Sequence, residues 1–175
     1  MDFEEIVKKR QSCRSYDPSK KVEGEKILAC LEATRLAPSA CNSQPYRIYA
    51  VSNSEKAERL SDPEVSGMSN FVRDCSTFVI FVEDDYNEMA EMGVGLMGID
   101  YRSIDIGIAS AYFTAAATEQ GLDTCILGAF HNENVKKILG TDADVKLAIS
   151  VGYRKAGDPL RDKKRKPFDD IVEMM

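Results

Sequence analysis

Arg10, Ser12 and Arg14 stand close together near the N-terminus, and Lys163, Lys164, Arg165 and Lys166 form a run near the C-terminus. Guanidinium and ammonium groups beside a hydroxyl are the residue types that hold a phosphate, through charge-assisted hydrogen bonds. Between them lies Pro38-Ser39-Ala40-Cys41-Asn42-Ser43-Gln44-Pro45, a run of small and polar residues. The chain as a whole is acidic, with 29 Asp and Glu against 23 Lys and Arg and a net charge of -6. Cations gathered against that background point to a site for a small anion. The same residues also read as two solvated basic stretches on a surface.

Composition narrows the classes of function. The acidic balance argues against nucleic acid as a general partner. The chain has 175 residues, enough for one domain with its own core, and its 43% hydrophobic and 30% charged residues place it among soluble globular proteins. No apolar run reaches the length of a membrane span. Met1-Asp2-Phe3-Glu4-Glu5 has neither the basic start nor the apolar core of a signal peptide, so a cytoplasmic location is expected. The five cysteines (Cys13, Cys30, Cys41, Cys75 and Cys125) lack metal-knuckle spacing, and His131 is the single histidine. No metal site and no Cys–His nucleophile pair is expected, and the thiols read as reduced.

Hydrophobic periodicity places the elements that must carry the polar residues. Phe3, Ile6 and Val7 share one face of a short first helix. Val22 through Leu36 reads as a second, with Ile27, Leu28 and Leu31 at helical spacing and Pro38 as its stop. Tyr46 to Val51 alternates as a strand, and Ser54 to Leu60 reads as a surface helix. Phe78-Val79-Ile80-Phe81-Val82 is a continuous apolar run, the pattern of a buried central strand. Ile104 to Gln120 is the longest helix expected; its small residues fit close packing in a core or dimer interface, and Gly121 is its cap. Thr124 to Leu127 and Val145 to Val151 read as strands, separated by a helix from Asn134 to Leu139. The alternation predicts one α/β or α+β domain spanning residues 1–175. The tail from Tyr153 is charged and then ends in Phe168, Ile171 and Val172, a pattern that can dock on another surface as an added strand.

One motif fails its own context. Gly93-Val94-Gly95-Leu96-Met97-Gly98 has three spaced glycines, but the dinucleotide pattern works only where a strand turns directly into a helix. Here four carboxylates between Glu83 and Glu88 intervene and would repel a pyrophosphate. Residues 84–99 are expected instead to form a flexible loop or lid, with Met89, Met92 and Met97 lining an apolar path or serving as ordinary packing.

Taken together, the chain resembles the FMN-dependent nitroreductase family in its short form, over nearly its whole length. The resemblance rests on Arg10-Gln11-Ser12-Cys13-Arg14, residues 38–45 quoted above, Asn70 with Arg73, Gly121-Leu122-Asp123-Thr124-Cys125-Ile126-Leu127-Gly128-Ala129-Phe130, and Lys163-Lys164-Arg165-Lys166-Pro167. It implies an α+β, three-layer fold with a mainly antiparallel mixed sheet flanked by helices, in an intertwined homodimer. It implies that Arg10, Lys163 and Arg165 hold the FMN phosphate, with Gln11 and Ser12 beside it. Arg14, Asn70 and Arg73 are implied at the pyrimidine edge of the ring. Pro38, Ser39, Ala40 and Asn42 are implied to come from the second subunit, Gly128 and Ala129 to pass beside the ring with the Gly128 N–H near N5, and the tail from residue 153 to dock on the partner. NADH or NADPH is the implied transient donor. The implied acceptor is a small molecule such as a nitroaromatic, a quinone or free flavin, reached by ping-pong hydride transfer.

The chemistry of the residues agrees with those roles. A fixed cation near N1 of reduced flavin stabilises the anion formed there, and arginine stays charged when partly buried. Hydride transfer needs no side-chain nucleophile, so no catalytic side chain is assigned. Gln11, Ala40 and Tyr46 depart from the family's usual residues; Gln11 stands where a second basic residue is common. Cys13 and Cys41 read as small packing residues rather than redox centres. His131 reads as an exposed helix start, and Asp105 as a helix-start carboxylate or a partner of Arg102 or of a basic residue elsewhere. Two other activities fit the same residues: a non-catalytic FMN storage or sensor module, and a related reductive dehalogenase or enone reductase.

Overall fold

The computed structural model describes all 175 residues. Eleven elements follow in order: α1 (Phe3–Lys9), α2 (Gly24–Arg35), β1 (Tyr46–Ser52), α3 (Glu55–Ser61), α4 (Pro63–Ser66), β2 (Thr77–Glu83), α5 (Glu88–Met97), α6 (Tyr101–Glu119), β3 (Asp123–Leu127), α7 (Asn132–Leu139) and β4 (Val145–Gly152). Short 3-10 turns lie at Ala40–Asn42, Asn70–Asp74 and Phe168–Asp170. The sheet order is β1-β2-β4-β3, and every strand pairs with its neighbours antiparallel. A parallel pairing appears only as a single bridge between Ser12 and Thr124.

The apolar run expected at the centre is β2, and from Thr77 to Val82 it is buried on both faces. Period-two alternation divides its side chains between two cores. Phe78, Ile80 and Val82 point into one core with Leu60, Val135 and Ile138 from α3 and α7. Val79 and Phe81 point into the other with Ile27, Ile106, Ala109, Phe113 and Ala117 from α2 and α6. The result is three layers: helices, sheet, helices. Each fully buried aromatic or branched side chain contributes roughly 1.5–3 kcal/mol of transfer free energy, so β2 and the inner face of α6 are the anchors of the fold.

The elements around the site follow from local chemistry. Asp2 and Glu5 form a capping box that starts α1. The segment after it is extended and stitched to the sheet: the Cys13 N–H donates to Thr124 O at 2.9 Å, and the Asp17 N–H donates to Tyr153 O at 2.7 Å. Tyr16 lies under the sheet with its hydroxyl 2.9 Å from Ser150 Oγ and donating to Ser150 O at 3.1 Å. Its ring covers Gly152 so closely that a Cβ there would sit 2.7 Å from Tyr16 Cδ1, which explains a glycine at that strand end.

The expected loop over residues 84–99 is incorrect. Residues 88–97 form α5, started by Asn87, whose side chain accepts from the Ala90 N–H, and ended by Gly98 in the left-handed region at φ 66°. Gly93 and Gly95 are poor helix formers and masked the pattern, but two good caps offset them. The three spaced glycines thus lie in and at the end of a helix. Met89, Met92, Leu96 and Met97 of α5 are exposed. The sequence also gave no sign of α4, and α6 begins three residues before the expected Ile104. No helix is long and apolar enough to cross a membrane.

Candidate functional site

Pinning the extended segment to β3 sets the direction of its side chains. From Arg10 to Arg14 they alternate: Gln11 and Cys13 are buried, while Ser12 is half-buried and Arg14 exposed. Arg10, Ser12 and Arg14 therefore open outward together. The tail returns across this edge. The Arg161 guanidinium donates to Ser12 O at 2.6 Å, and the Lys163 ammonium donates to Arg10 O at 2.5 Å. Together they enclose a cavity of about 180 Å³ lined by Arg10, Gln11, Ser12, Arg14, Arg161, Asp162, Lys163 and Arg165. Two segments about 150 residues apart thus meet, which the spacing of the basic residues left open and the family resemblance implied.

The electrostatics of this cavity are one-sided. Asp162 is the single carboxylate among its lining residues, against five cations. Partial burial, and then the neighbouring charges of Arg10 and Arg165, hold the Lys163 ammonium below the ordinary lysine range. Lys163 has no carboxylate within ion-pair distance to offset that burial and those like charges. A phosphate would supply that counter-charge, with the Ser12 hydroxyl as a further donor. A wider trough of about 630 Å³ shares Arg10, Lys163 and Arg165 and runs between α1 and α6 over Phe3, Val7, Ala111 and Ile126. Arg161 was not among the expected residues; Asp162 separates it from the basic run in the sequence.

Residues 38–45 form a separate, tightly bonded loop. Cys41, Asn42 and Gln44 have φ of 50°, 52° and 42°, in the left-handed region that costs energy for residues with a Cβ. Side chains hold the shape. Gln44 donates from Nε2 to Ser39 Oγ at 3.0 Å and to Asn42 Oδ1 at 2.8 Å. Asn87 at the start of α5 donates from Nδ2 to Cys41 O at 2.9 Å. Asp105 of α6, only 2% exposed, accepts from the Ala40 N–H at 3.0 Å. Burial raises the pKa of Asp105, and its second oxygen has no partner. Asp105 therefore anchors the loop; the expected partner Arg102 pairs instead with Glu83 at 2.8 Å. Cys41 is exposed, so the expectation of a packing role fails for it, whereas Cys13 is fully buried. The cationic cavity takes none of its lining from Pro38, Ser39, Ala40 or Asn42 of the same chain.

The remaining expected residues are scattered within one chain. Asn70 and Arg73 lie on the 3-10 turn before β2. Arg73 is half exposed and sits 3.6 Å from carboxylate oxygens of both Asp62 and Glu64, so it is not gathered with Arg14. Gly128 and Ala129 follow β3 and are exposed; a Cβ built on Gly128 would meet nothing within 4 Å. Packing within the chain does not require a glycine there, which leaves the backbone open to close approach from outside. His131 is exposed at the start of α7, as expected, with its ring against Gly67.

Comparison with known proteins agrees with this architecture. The family model described as the nitroreductase family matches residues 7–153. The major NAD(P)H-flavin oxidoreductase of Aliivibrio fischeri is 24% identical, with 97% of this chain and 96% of that protein covered. That alignment runs over 216 positions, more than the 175 residues here, so the relative carries segments this short chain lacks. The FMN reductase [NAD(P)H] of Bacillus subtilis is 29% identical over 138 residues, covering 71% of this chain and 54% of that protein. The crystal structure of a nitroreductase family protein from Streptococcus pneumoniae superposes with a TM-score of 0.82 at 24% identity, covering 99% of this chain and 100% of that one. Fold and sequence thus converge, over most of its length, on one conclusion: the chain belongs to the nitroreductase family.

Proposed function

We propose that this protein is an NAD(P)H-dependent flavin oxidoreductase that uses FMN and works as a homodimer with the flavin at the subunit interface. The observation that carries this reading is the cavity of five cations around Ser12 with a single carboxylate, Asp162, in its lining. Relatives named for flavin and FMN reduction with NAD(P)H support the choice of anion and donor. The chemistry supplied by bound FMN is a two-electron relay at N5, alternating between NADH or NADPH and an oxidised acceptor such as a nitroaromatic, a quinone or free flavin.

The chain's own residues hold and tune. Arg10, Lys163 and Arg165 bind the phosphate, joined by Arg161 and the Ser12 hydroxyl. Arg14 would supply bound flavin with a permanent positive charge that favours its reduced form. Asn70 and Arg73 serve the pyrimidine edge, Arg73 at the expense of its pairs with Asp62 and Glu64. Gly128 and Ala129 leave room for backbone approach to the ring. The loop bearing Pro38, Ser39, Ala40 and Asn42 reaches the partner subunit's flavin, held in shape by Asp105, Gln44 and Asn87. The outer face of α6 (Ile104, Gly107, Ala111 and Tyr112), the methionine face of α5 and the tail beyond residue 153 cover the partner. Their exposed apolar side chains in a single chain support that role.

The test is the visible spectrum of the purified protein, followed by anaerobic addition of NADH and NADPH. A flavin spectrum that bleaches is expected, and the faster donor identifies the electron source. Persisting colour with both donors would leave an FMN storage or sensor module. Bleaching with slow turnover of nitroaromatics and quinones would direct attention to a dehalogenase or enone reductase. Absence of flavin even after incubation with FMN overturns the reading.

A further inference from the structure

We infer that Gln11 is a positioning residue that clamps the C-terminal tail in place and so assembles the phosphate site, rather than a ligand of the phosphate itself. The inference rests on reading the cationic cavity as that site. Gln11 is 8% exposed and belongs to the inward-facing set of the segment, opposite in direction to Arg10 and Ser12. Both ends of its amide are already engaged. Nε2 donates to Pro159 O at 3.2 Å, and Oε1 accepts from the Arg161 N–H at 3.1 Å. These are the two bonds by which one backbone strand would pair with another, made here by a side chain across a separation of about 150 residues. They hold residues 159 and 161 on the N-terminal segment.

The clamp answers a physical problem. Five cations line one small cavity with a single carboxylate, so bringing Arg161, Lys163 and Arg165 beside Arg10 and Arg14 costs like-charge repulsion. Before any anion arrives, hydrogen bonds must hold the tail down. Gln11 makes two neutral ones, and the Ser12 and Arg10 carbonyls accept two charge-assisted ones from Arg161 and Lys163. A basic residue at position 11 would add repulsion there and could not accept from the Arg161 N–H. Glutamine, neutral and both donor and acceptor, fits the task. Holding the cations in their binding geometry in advance also spares the ligand that ordering cost.

The test separates clamp from ligand. Gln11→Met keeps length and apolar bulk but removes both hydrogen bonds. In FMN-free protein, checked for native circular dichroism, trypsin is used to cut after Arg161, Lys163, Lys164 and Arg165. The variant is expected to be cut at least about 3-fold faster than wild type, because cleavage tracks the population of the open tail. Its FMN dissociation constant, from fluorescence titration, is expected to rise about 10-fold. Arg10→Ala is the comparator: it also weakens FMN, but it keeps the backbone carbonyl that accepts from Lys163 and does not accelerate cleavage. Wild-type cleavage in Gln11→Met overturns the clamp, and doing so alongside weakened FMN binding makes Gln11 a direct ligand. Faster cleavage with unchanged FMN affinity overturns its part in the site. Should Gln11→Met not fold, Gln11→Asn, shorter by one methylene, is read in the same assays against the same outcomes. Cleavage is measured without flavin, so a wild-type protein that never takes up FMN would refute the proposed function and leave the tail contact decided separately.

Discussion

Two groups of cations lie on this molecule, and they differ in what faces them. Arg73 carries its charge between Asp62 and Glu64, on the same stretch of surface, and is largely neutralised there. Of Arg10, Arg14, Arg161, Lys163 and Arg165, only Arg161 has an ion-pair partner, Asp158 at 3.6 Å, and Asp162 is the single carboxylate in the cavity lining; burial, with the charges of Arg10 and Arg165, depresses Lys163. Charge alone does not separate these places, because all six residues are basic and at least partly exposed. The separating quantity is the shortage of counter-charge. Satisfied ion pairs at a surface contribute little, whereas a cluster held together against its own repulsion has been placed where an anion will stabilise it.

Removing two of the crowded cations is the strongest way to break the contrast. Each charge-assisted hydrogen bond contributes about 1.5–3 kcal/mol, so Arg10→Ala with Arg165→Ala is expected to weaken FMN binding by about 100-fold or more. The check is the flavin content of the purified protein and a fluorescence titration. Raising the ionic strength should weaken wild type more than the double variant, because fewer charges remain to be screened. Full flavin retention in the double variant would move the phosphate elsewhere.

Arg14 tests the other end of the cluster. Arg14→Ala removes a positive charge that favours the reduced anion, so the two-electron midpoint potential is expected to fall by about 30 mV, equivalent to about 1.4 kcal/mol. Phosphate affinity should change less than in Arg10→Ala. A spectroelectrochemical titration with an unchanged potential would remove Arg14 from the ring edge.

Lys163 sharpens the comparison through pH. Only its ammonium form attracts phosphate. The contribution of Lys163 to FMN affinity is therefore complete below its pKa in the free protein and is lost as pH rises through it, while the arginines keep theirs. Because that pKa lies below the ordinary lysine value of about 10.4, the fall in affinity should begin at lower pH than for a solvated lysine. Arg10→Ala removes one of the repelling charges and should move the fall to higher pH. An affinity flat with pH across the alkaline range would show that Lys163 does not hold the anion.

The sequence was most legible where one local rule sufficed. The apolar run of β2 and the small residues of α6 announced buried elements, and the structure buries Phe78 to Val82 and the inner face of α6. The basic stretches read equally as an anion site and as two solvated faces, and only the family resemblance joined the two ends. The sequence was silent where long-range contact decides. Nothing local marks Asp105 as the anchor of Ala40, or Gln11 as the holder of Pro159 and Arg161, since each bond joins residues far apart in the chain. The helix α5 was hidden for the opposite reason, because its local signals conflict. Two glycines speak against a helix, while Asn87 and Gly98 at its ends speak for one. Period-two geometry sets Gln11 opposite Arg10, Ser12 and Arg14 in an extended segment, but it does not say what Gln11 holds.

The smallest expected effect belongs to Arg73, and it is the one that most refines the contrast. To reach a flavin edge Arg73 must leave Asp62 and Glu64, and the gain at the ring is offset by the pairs given up. Arg73→Ala is therefore expected to raise the FMN dissociation constant less than about 3-fold and to change stability by about 0.5 kcal/mol or less, in the range of exposed ion pairs. Glu64→Gln tells more, since it frees Arg73 from one of its two carboxylates without removing its charge. If the carboxylates restrain Arg73 from the flavin, this variant should bind FMN slightly more tightly than wild type and raise its midpoint potential. If Arg73 serves only its own surface, neither quantity will move, and the edge of the ring is left to Arg14 and Asn70.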